Sequence, residues 1–340
     1  MERNTVAMKS RLLTIVFAFP FAFLGSAGLT SAQIRPPQSG FVWDASLQAI
    51  RPVQGLPGAW TLGPALNLGV PVLAARFSPD NNFALIASDS SVAIVTGLNA
   101  GKVAVVPVEN ALTADLMTLN DTGTTALLYS KSQRSVQWLE GLPSNPAVVR
   151  TISLADLGGD VTAIAMNRGG NLALIGIALD ANNGSLHKLH VRGALGFVGN
   201  THAASIVFAQ NDRDAYLTDS AAGTLMLASD SQGLSVLADG SAGLQRPGTV
   251  QMVGATLLIA SPGTSKLTCF DIAHGSASAA ALPAPATQID RFGTDGMFQL
   301  NPAGSGPVYV LDGGSLNNGC APVVLFIPPD QASAGQSAGQ

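Results

Sequence analysis

The segment FSPDNNFALI (77–86) consists of an apolar residue, a polar turn and an apolar run, and this pattern recurs along the chain. Similar segments are LNDTGTTALL (119–128), MNRGGNLALI (166–175), FAQNDRDAYL (208–217), MVGATLLIAS (252–261) and, less closely, FGTDGMFQLN (292–301). Their equivalent residues lie about 42 residues apart, with one longer step: Ala84, Ala126, Ala173, Ala215, Leu257 and Phe298. A step this regular indicates a repeat architecture.

Each repeat contains four short apolar runs, which predict four antiparallel strands. The turn between the first two runs is rich in Asn, Asp and Gly, residues that close hairpins readily. In the first repeat, the third and fourth runs are SVAIVTGL (91–98) and KVAVVPV (102–108). Four strands in such a unit are one blade of a β-propeller. A blade packed between two neighbours is apolar on both faces, which explains a hydrophobic content of 47% with only 11% charged residues.

The turn FSPDN (77–81), placed before an apolar strand, resembles the hairpin of bacterial secreted β-propellers of the YVTN and WD-repeat-like kind. The resemblance covers most of residues 70–328. It implies the propeller fold, and it implies no particular activity, because such propellers serve as enzymes, binding platforms and scaffolds.

The number of blades depends on the segment FVWDASLQAIRPVQG (41–55), which precedes six full repeats at about 70–328. We align this segment with the third and fourth strands of a unit, so that Trp43-Asp44 matches Phe270-Asp271. The sequence therefore predicts an all-β propeller of six full four-stranded blades plus an N-terminal partial blade. Six and seven blades both stay open, with seven preferred.

The N-terminus has the three parts of a secretory signal peptide. Basic residues precede the apolar stretch LLTIVFAFPFAFLGSAGL (12–29), and the small residues Thr30-Ser31-Ala32 follow it. We expect cleavage before Gln33, and an uncleaved membrane anchor is the alternative. The predicted organisation is a signal peptide (1–32), a propeller domain (33–330) and a disordered tail (331–340), with export to the periplasm, cell surface or medium.

The charge of the chain and the lengths of its apolar runs limit the kinds of partner that we expect. The formal net charge is −4, and the 17 basic residues form no cluster of the kind that nucleic-acid binding needs. No later apolar run is long enough to span a bilayer. We expect a monomer whose partner is a protein or a small polar ligand, with no nucleic acid and no transmembrane segment after signal cleavage.

Two cysteines fall in adjacent predicted blades, Cys269 on a third strand and Cys320 just before the last fourth strand. An exported protein meets oxidising conditions, so a disulfide across the blade junction is one hypothesis. Two separate thiols are the alternative, because a third and a fourth strand need not bring the two Cα atoms within about 7 Å.

Four histidines are candidate metal ligands: His187, His190, His202 and His274. His187 and His190 are three apart on a predicted strand and so point to opposite faces. We interpret them as surface or loop histidines, and His202 and His274 as loop residues without an acidic neighbour at ligand spacing. No catalytic or phosphate-binding motif occurs in the sequence. No catalytic residue, metal or cofactor is predicted.

The first strand of each blade lines the central channel of a propeller. These strands are mostly small and apolar in this chain, but polar residues on them are predicted to line the channel and bind a ligand: Arg76, Asp115, Gln251, Asp290 and Arg291. The alternative is that half of them point into turns or water, because a slip of one residue reverses every side chain of a strand.

Two classes of function follow. The preferred one is a non-catalytic binding or scaffold protein of the cell envelope or exterior. The alternative is a lactonase- or hydrolase-like propeller enzyme with its site at the channel. Enzymes of that kind need carboxylates and histidines at the channel mouth. In this chain Glu109 and Glu140 are the glutamates after the predicted signal peptide, and no histidine lies on a predicted first strand.

Overall fold

The sheets of this protein are antiparallel and are built from strands consecutive in the chain. The computed structural model describes residues 37–293, 296–318 and 320–329. These residues form seven sheets, six with four strands and one with three. The predicted signal peptide (1–32) and tail (331–340) lie outside the described residues.

The first four blades follow one another in chain order. Blade 1 contains β1 (Gln38–Asp44), β2 (Ala49–Gln54) and β3 (Thr61–Leu62). Blade 2 contains β4 (Ala74–Phe77), β5 (Phe83–Ala87), β6 (Val92–Thr96) and β7 (Ala104–Pro107). Blade 3 contains β8 (Leu116–Leu119), β9 (Thr125–Ser130), β10 (Ser135–Glu140) and β11 (Ala147–Ser153). Blade 4 contains β12 (Asp160–Met166), β13 (Leu172–Ala178), β14 (Gly184–His190) and β15 (Leu195–Asn200).

The last three blades have the same plan. Blade 5 contains β16 (Ala203–Phe208), β17 (Ala215–Asp219), β18 (Thr224–Ser229) and β19 (Gly233–Ala238). Blade 6 contains β20 (Val250–Val253), β21 (Thr256–Ala260), β22 (Lys266–Asp271) and β23 (Ser276–Ala281). Blade 7 contains β24 (Asp290–Phe292), β25 (Met297–Gln299), β26 (Val308–Asp312) and β27 (Val323–Ile327). The described residues also form two short 3-10 helices, at Gly240–Ala242 and Gly313–Asn318. No helix in the described ranges has the length and apolar character needed to cross a membrane.

The blades pack through seven separate apolar clusters, one at each junction of the ring. Strand β5 shows how the sequence achieves this. Phe83, Leu85 and Ala87 pack towards blade 3, whereas the alternate residues Ala84 and Ile86 pack towards blade 1. Successive side chains of a strand point to opposite faces, so an unbroken apolar run serves two neighbours at once. The chain is therefore a seven-bladed β-propeller.

The ring closes where blade 1 packs against blade 7. Each of these two blades is built from consecutive strands, and neither combines strands from both ends of the chain. Val42 and Val53 of blade 1 pack against Val308 and Val310 of blade 7. The backbones also approach closely at this junction. Ala45 N donates a 3.4 Å hydrogen bond to Ala303 O.

Residues 41–55 correct one sequence prediction, because they form the first and second strands of blade 1 and not the third and fourth. Strand β1 is the innermost strand and contacts the inner strands of blades 2 and 7. The misalignment has a physical reason, which is that Asp44 and Asp271 close the same type of hairpin turn. Asp44 Oδ1 accepts hydrogen bonds from the backbone N–H groups of the second and third residues after it, and Asp271 Oδ1 does the same. Turn chemistry identifies a hairpin but not its place in a blade.

Asp44 also anchors a buried ion pair in blade 1. Arg51 Nη1 lies 3.3 Å from Asp44 Oδ2, and both side chains are buried. Burial raises the pKa of Asp44, but hydrogen bonds from Ser46, Leu47 and Arg51 outweigh it and hold the pKa below its ordinary value.

A disulfide joins blades 6 and 7. Cys269 on β22 and Cys320 before β27 are bonded, with a Cα–Cα distance of 5.6 Å. Of the two alternatives that the sequence leaves open, a disulfide or two separate thiols, the structure contains the disulfide.

Asparagines in the turns after the inner strands connect successive blades. Asn120 Nδ2 donates to Arg168 O of blade 4 at 3.0 Å, and Asn167 Nδ2 donates to Asp212 O of blade 5 at 3.3 Å. The carboxamide oxygen of Asn167 also accepts two backbone N–H groups of its own turn, at Asn171 and Leu172. One buried side chain therefore fixes both a hairpin and a blade junction.

Replacing Asn167 with alanine is expected to lower the free energy of unfolding by about 1–3 kcal/mol, because it leaves the buried N–H group of Leu172 without its side-chain acceptor and breaks the bond to blade 5. Asn211→Ala is the matched control. Its carboxamide oxygen also accepts two backbone N–H groups, but the residue is exposed and water replaces it. Urea unfolding of both variants checks this expectation, and equal losses would contradict it.

Candidate ligand site in the central channel

The inner strands of all seven blades surround a cavity of about 510 Å³, which we call the channel cavity. Small-molecule sites in proteins are commonly concave spaces of about 300–1,000 Å³. The channel cavity therefore has the size of a ligand site.

Four of the five residues predicted to line the channel do so: Arg76, Gln251, Asp290 and Arg291. Asp115 does not lie among the residues that line the cavity. It precedes β8, and its carboxylate accepts a 2.6 Å hydrogen bond from the backbone N–H of Lys131. The cavity is lined instead by the opposite end of that strand, at Thr118 and Leu119, and by the turn that follows.

Asp121 is a charged cavity residue that the sequence prediction omitted. It lies in the turn LNDTG (119–123), directly after the inner strand of blade 3. The signal was present in the sequence, since charged residues just beyond an inner strand reach the same space as those within it.

Two ion pairs cross the cavity between non-adjacent blades. Arg76 Nη1 of blade 2 lies 3.8 Å from Asp290 Oδ2 of blade 7. Arg291 Nη2 of blade 7 lies 3.5 Å from Asp121 Oδ1 of blade 3. All four side chains are about half exposed, with relative exposures of 46–58%. Two positive and two negative groups thus face the same cavity.

The wall formed by blades 4 and 5 carries no charge. All its residues are apolar: Ile164, Ala165, Met166, Ile206, Val207 and Phe208. Blade 6 contributes both Gln251 and Met252. In a ring of seven, blades 4 and 5 lie across the channel from blade 1, whose neighbours on either side, blades 2 and 7, carry Arg76, Asp290 and Arg291. The cavity therefore has a charged side and an apolar side.

None of the four histidines, all of which the structure describes, lines the cavity. His187 is buried rather than at the surface as the sequence suggested. Its Nε2 lies 3.0 Å from Ser185 Oγ, and burial lowers its pKa. His274 also departs from the sequence interpretation, since its Nδ1 lies 2.8 Å from Asp271 Oδ2 in an exposed pair. Within the described part of the chain, no group of three His, Cys, Asp or Glu side chains is arranged to hold a metal ion.

Comparisons with known proteins identify the fold and no family. No protein-family model matches the chain, and no curated protein matches it. A functionally unknown protein from Desulfotomaculum acetoxidans DSM 771 is similar in structure, with a TM-score of 0.59 and 16% identity over 86% of this chain and 99% of that one. A chain of a nidogen/laminin complex has a TM-score of 0.50 and 12% identity over 72% of this chain and 93% of that one. Identities this low show a shared propeller fold alone.

Proposed function

We propose that this chain is an exported, non-catalytic binding protein that holds a small polar ligand in the channel cavity. The observation that carries this proposal is the set of four half-exposed charged side chains facing one cavity of about 510 Å³. Export is supported by the N-terminal signal pattern and by the Cys269–Cys320 disulfide, because disulfides persist in oxidising compartments.

The composition of the cavity supports binding over catalysis. Its charged groups are already paired with one another, and the described residues of its lining include neither a histidine nor a glutamate. Acid–base catalysis needs a group that can give or take a proton at the working pH, and histidine is the side chain best suited to this.

A panel of small polar molecules tests the proposal. We expect at least one member among amino acids, short peptides, sugars, organic acids and polyamines to raise the melting temperature of the protein, since ligands that bind the native state stabilise it. Arg76→Gln is expected to reduce the affinity for that compound at least tenfold, measured by isothermal titration calorimetry.

Lys131→Ala is the matched control, because it breaks an exposed ion pair with Asp160 outside the cavity and should leave the affinity unchanged. No binding by any member of the panel would contradict the proposal. So would turnover of lactones or esters, with added calcium or magnesium, that is lost in Asp290→Ala. That result would identify the chain as an enzyme.

A further inference from the structure

The charged side chains of the channel cavity that the structure describes are two arginines and two aspartates, and this balance restricts the ligand. Arg76 and Arg291 face Asp290 and Asp121 in two pairs. An anion that binds an arginine must compete with that arginine's aspartate, and a cation meets the same obstacle at the aspartates. A molecule with one positive and one negative group satisfies both members of a pair and leaves no charge unpartnered.

The existing pairs are loose enough to be exchanged. Their N–O distances of 3.5 and 3.8 Å exceed the roughly 2.7–2.9 Å of a strong charge-assisted hydrogen bond. Half-exposed pairs of this kind contribute only about 0–1 kcal/mol. Arg76 is nevertheless held in place, because its Nε donates a 3.1 Å hydrogen bond to Met117 O. The guanidinium is thus already positioned at the cavity for a second carboxylate.

The opposite wall adds a requirement for an apolar group. Ile164 and Val207 are partly exposed and line the cavity from blades 4 and 5. A ligand that is charged at both ends but otherwise small and polar would leave these side chains in contact with water. Burying an apolar group there contributes about 25 cal/mol for each Å² removed from water.

Four amide side chains line the described part of the cavity: Asn120, Gln251, Gln288 and Gln299. Those of Gln251 and Gln288 make no hydrogen bond to other described residues. Both are available to a polar group in the middle of a ligand, such as a peptide bond.

We infer that the ligand is a zwitterion with an apolar side chain, either an apolar α-amino acid or a dipeptide of such residues. This inference rests on the proposed function and specifies its ligand. The carboxylate binds Arg76, the ammonium group binds Asp290, and the side chain packs on the wall of blades 4 and 5.

Calorimetric titration with L-leucine, L-leucyl-L-leucine and their capped analogues tests this inference. We expect the leucine or dipeptide zwitterion to bind at least tenfold more tightly than N-acetyl-L-leucine, which lacks the ammonium group, and L-leucinamide, which lacks the carboxylate. Glycine and glycylglycine should also bind at least tenfold more weakly, because they have no apolar side chain. Arg76→Gln and Asp290→Asn, the two members of one pair, should each weaken the preferred zwitterion at least tenfold, whereas Lys131→Ala should not.

The outcomes separate this inference from the proposed function. A capped analogue that binds as tightly as the zwitterion overturns the requirement for both charges. Glycylglycine that binds as tightly overturns the requirement for an apolar side chain. In either case binding in the channel itself stands. If other small polar molecules bind and are weakened by Arg76→Gln but no zwitterion binds, this inference fails and the proposed function survives. If nothing in either panel binds, both fail.

Discussion

Replacing Cys269 and Cys320 together with alanine is expected to lower the free energy of unfolding by about 4 kcal/mol. The bond spans a sequence separation of 51 residues, and the chain-entropy relation for a loop of that length gives about this value. Alanine is preferable to serine because Cys269 is buried in the cluster between blades 6 and 7, where a hydroxyl would cost additional free energy.

Urea and thermal unfolding of the variant and the parent chain measure this effect. The single variant Cys320→Ala should lose nearly as much stability as the double variant, since either change removes the bond. The parent chain in reductant should approach both variants. Alkylation of the non-reduced, denatured parent chain that finds two free thiols would refute the expectation.

Asp219→Ala is the second change with a large expected effect, a loss of about 2–4 kcal/mol. The carboxylate is buried and accepts four hydrogen bonds, from Thr201 Oγ1 and the backbone N–H groups of His202, Ala221 and Ala222, all between 2.8 and 3.0 Å. Removing it leaves these donors without their acceptor, and hydrogen bonds to charged groups are the stronger kind.

Asp271→Ala provides a matched control, because Asp271 also accepts two backbone N–H groups of its hairpin turn but its side chain is 42% exposed. Water replaces the lost acceptor at an exposed turn, so this variant should lose about 0.5–1 kcal/mol. Similar losses in the two variants would show that burial of Asp219 does not set the size of its contribution.

The contribution of Asp219 should also depend on pH. Burial raises its pKa, but the hydrogen bonds from Ala222, His202 and Thr201 outweigh it, and the pKa lies below the ordinary value of 3.8. A carboxyl whose pKa is lower in the folded state stabilises the fold above its unfolded pKa, and this stabilisation is lost as the pH falls through the folded pKa. The difference in free energy of unfolding between the parent chain and Asp219→Ala should thus be largest near neutral pH and should shrink below about pH 4.

The sequence predicted the repeat and the blade because both follow from local chemistry. An apolar run such as FALIA (83–87) with an Asn- or Gly-containing turn before it fits a strand buried on both faces, and β5 has this environment. The place of residues 41–55 within a blade was wrong, because the same Asp-closed turn joins first to second strands in blade 1 and third to fourth strands in blade 6.

The channel lining was predictable only in part. Arg76, Gln251, Asp290 and Arg291 lie on inner strands, and the repeat places those strands at the axis. In blades 3, 4 and 5 the cavity is lined by the C-terminal ends of the inner strands, and the sequence prediction did not choose between the two ends of a strand. The choice of end separates Asp115, before β8, from Asp121, just after it.

Closure of the ring has a consequence for the response of this protein to temperature. The first and last blades meet through side chains such as Val42, Trp60, Phe292 and Ile327, and no peptide bond links the two blades directly. Hydrophobic stabilisation weakens on cooling, whereas a covalent bond is unaffected. On cooling, the junction of blades 1 and 7 is therefore expected to open before the other blade junctions.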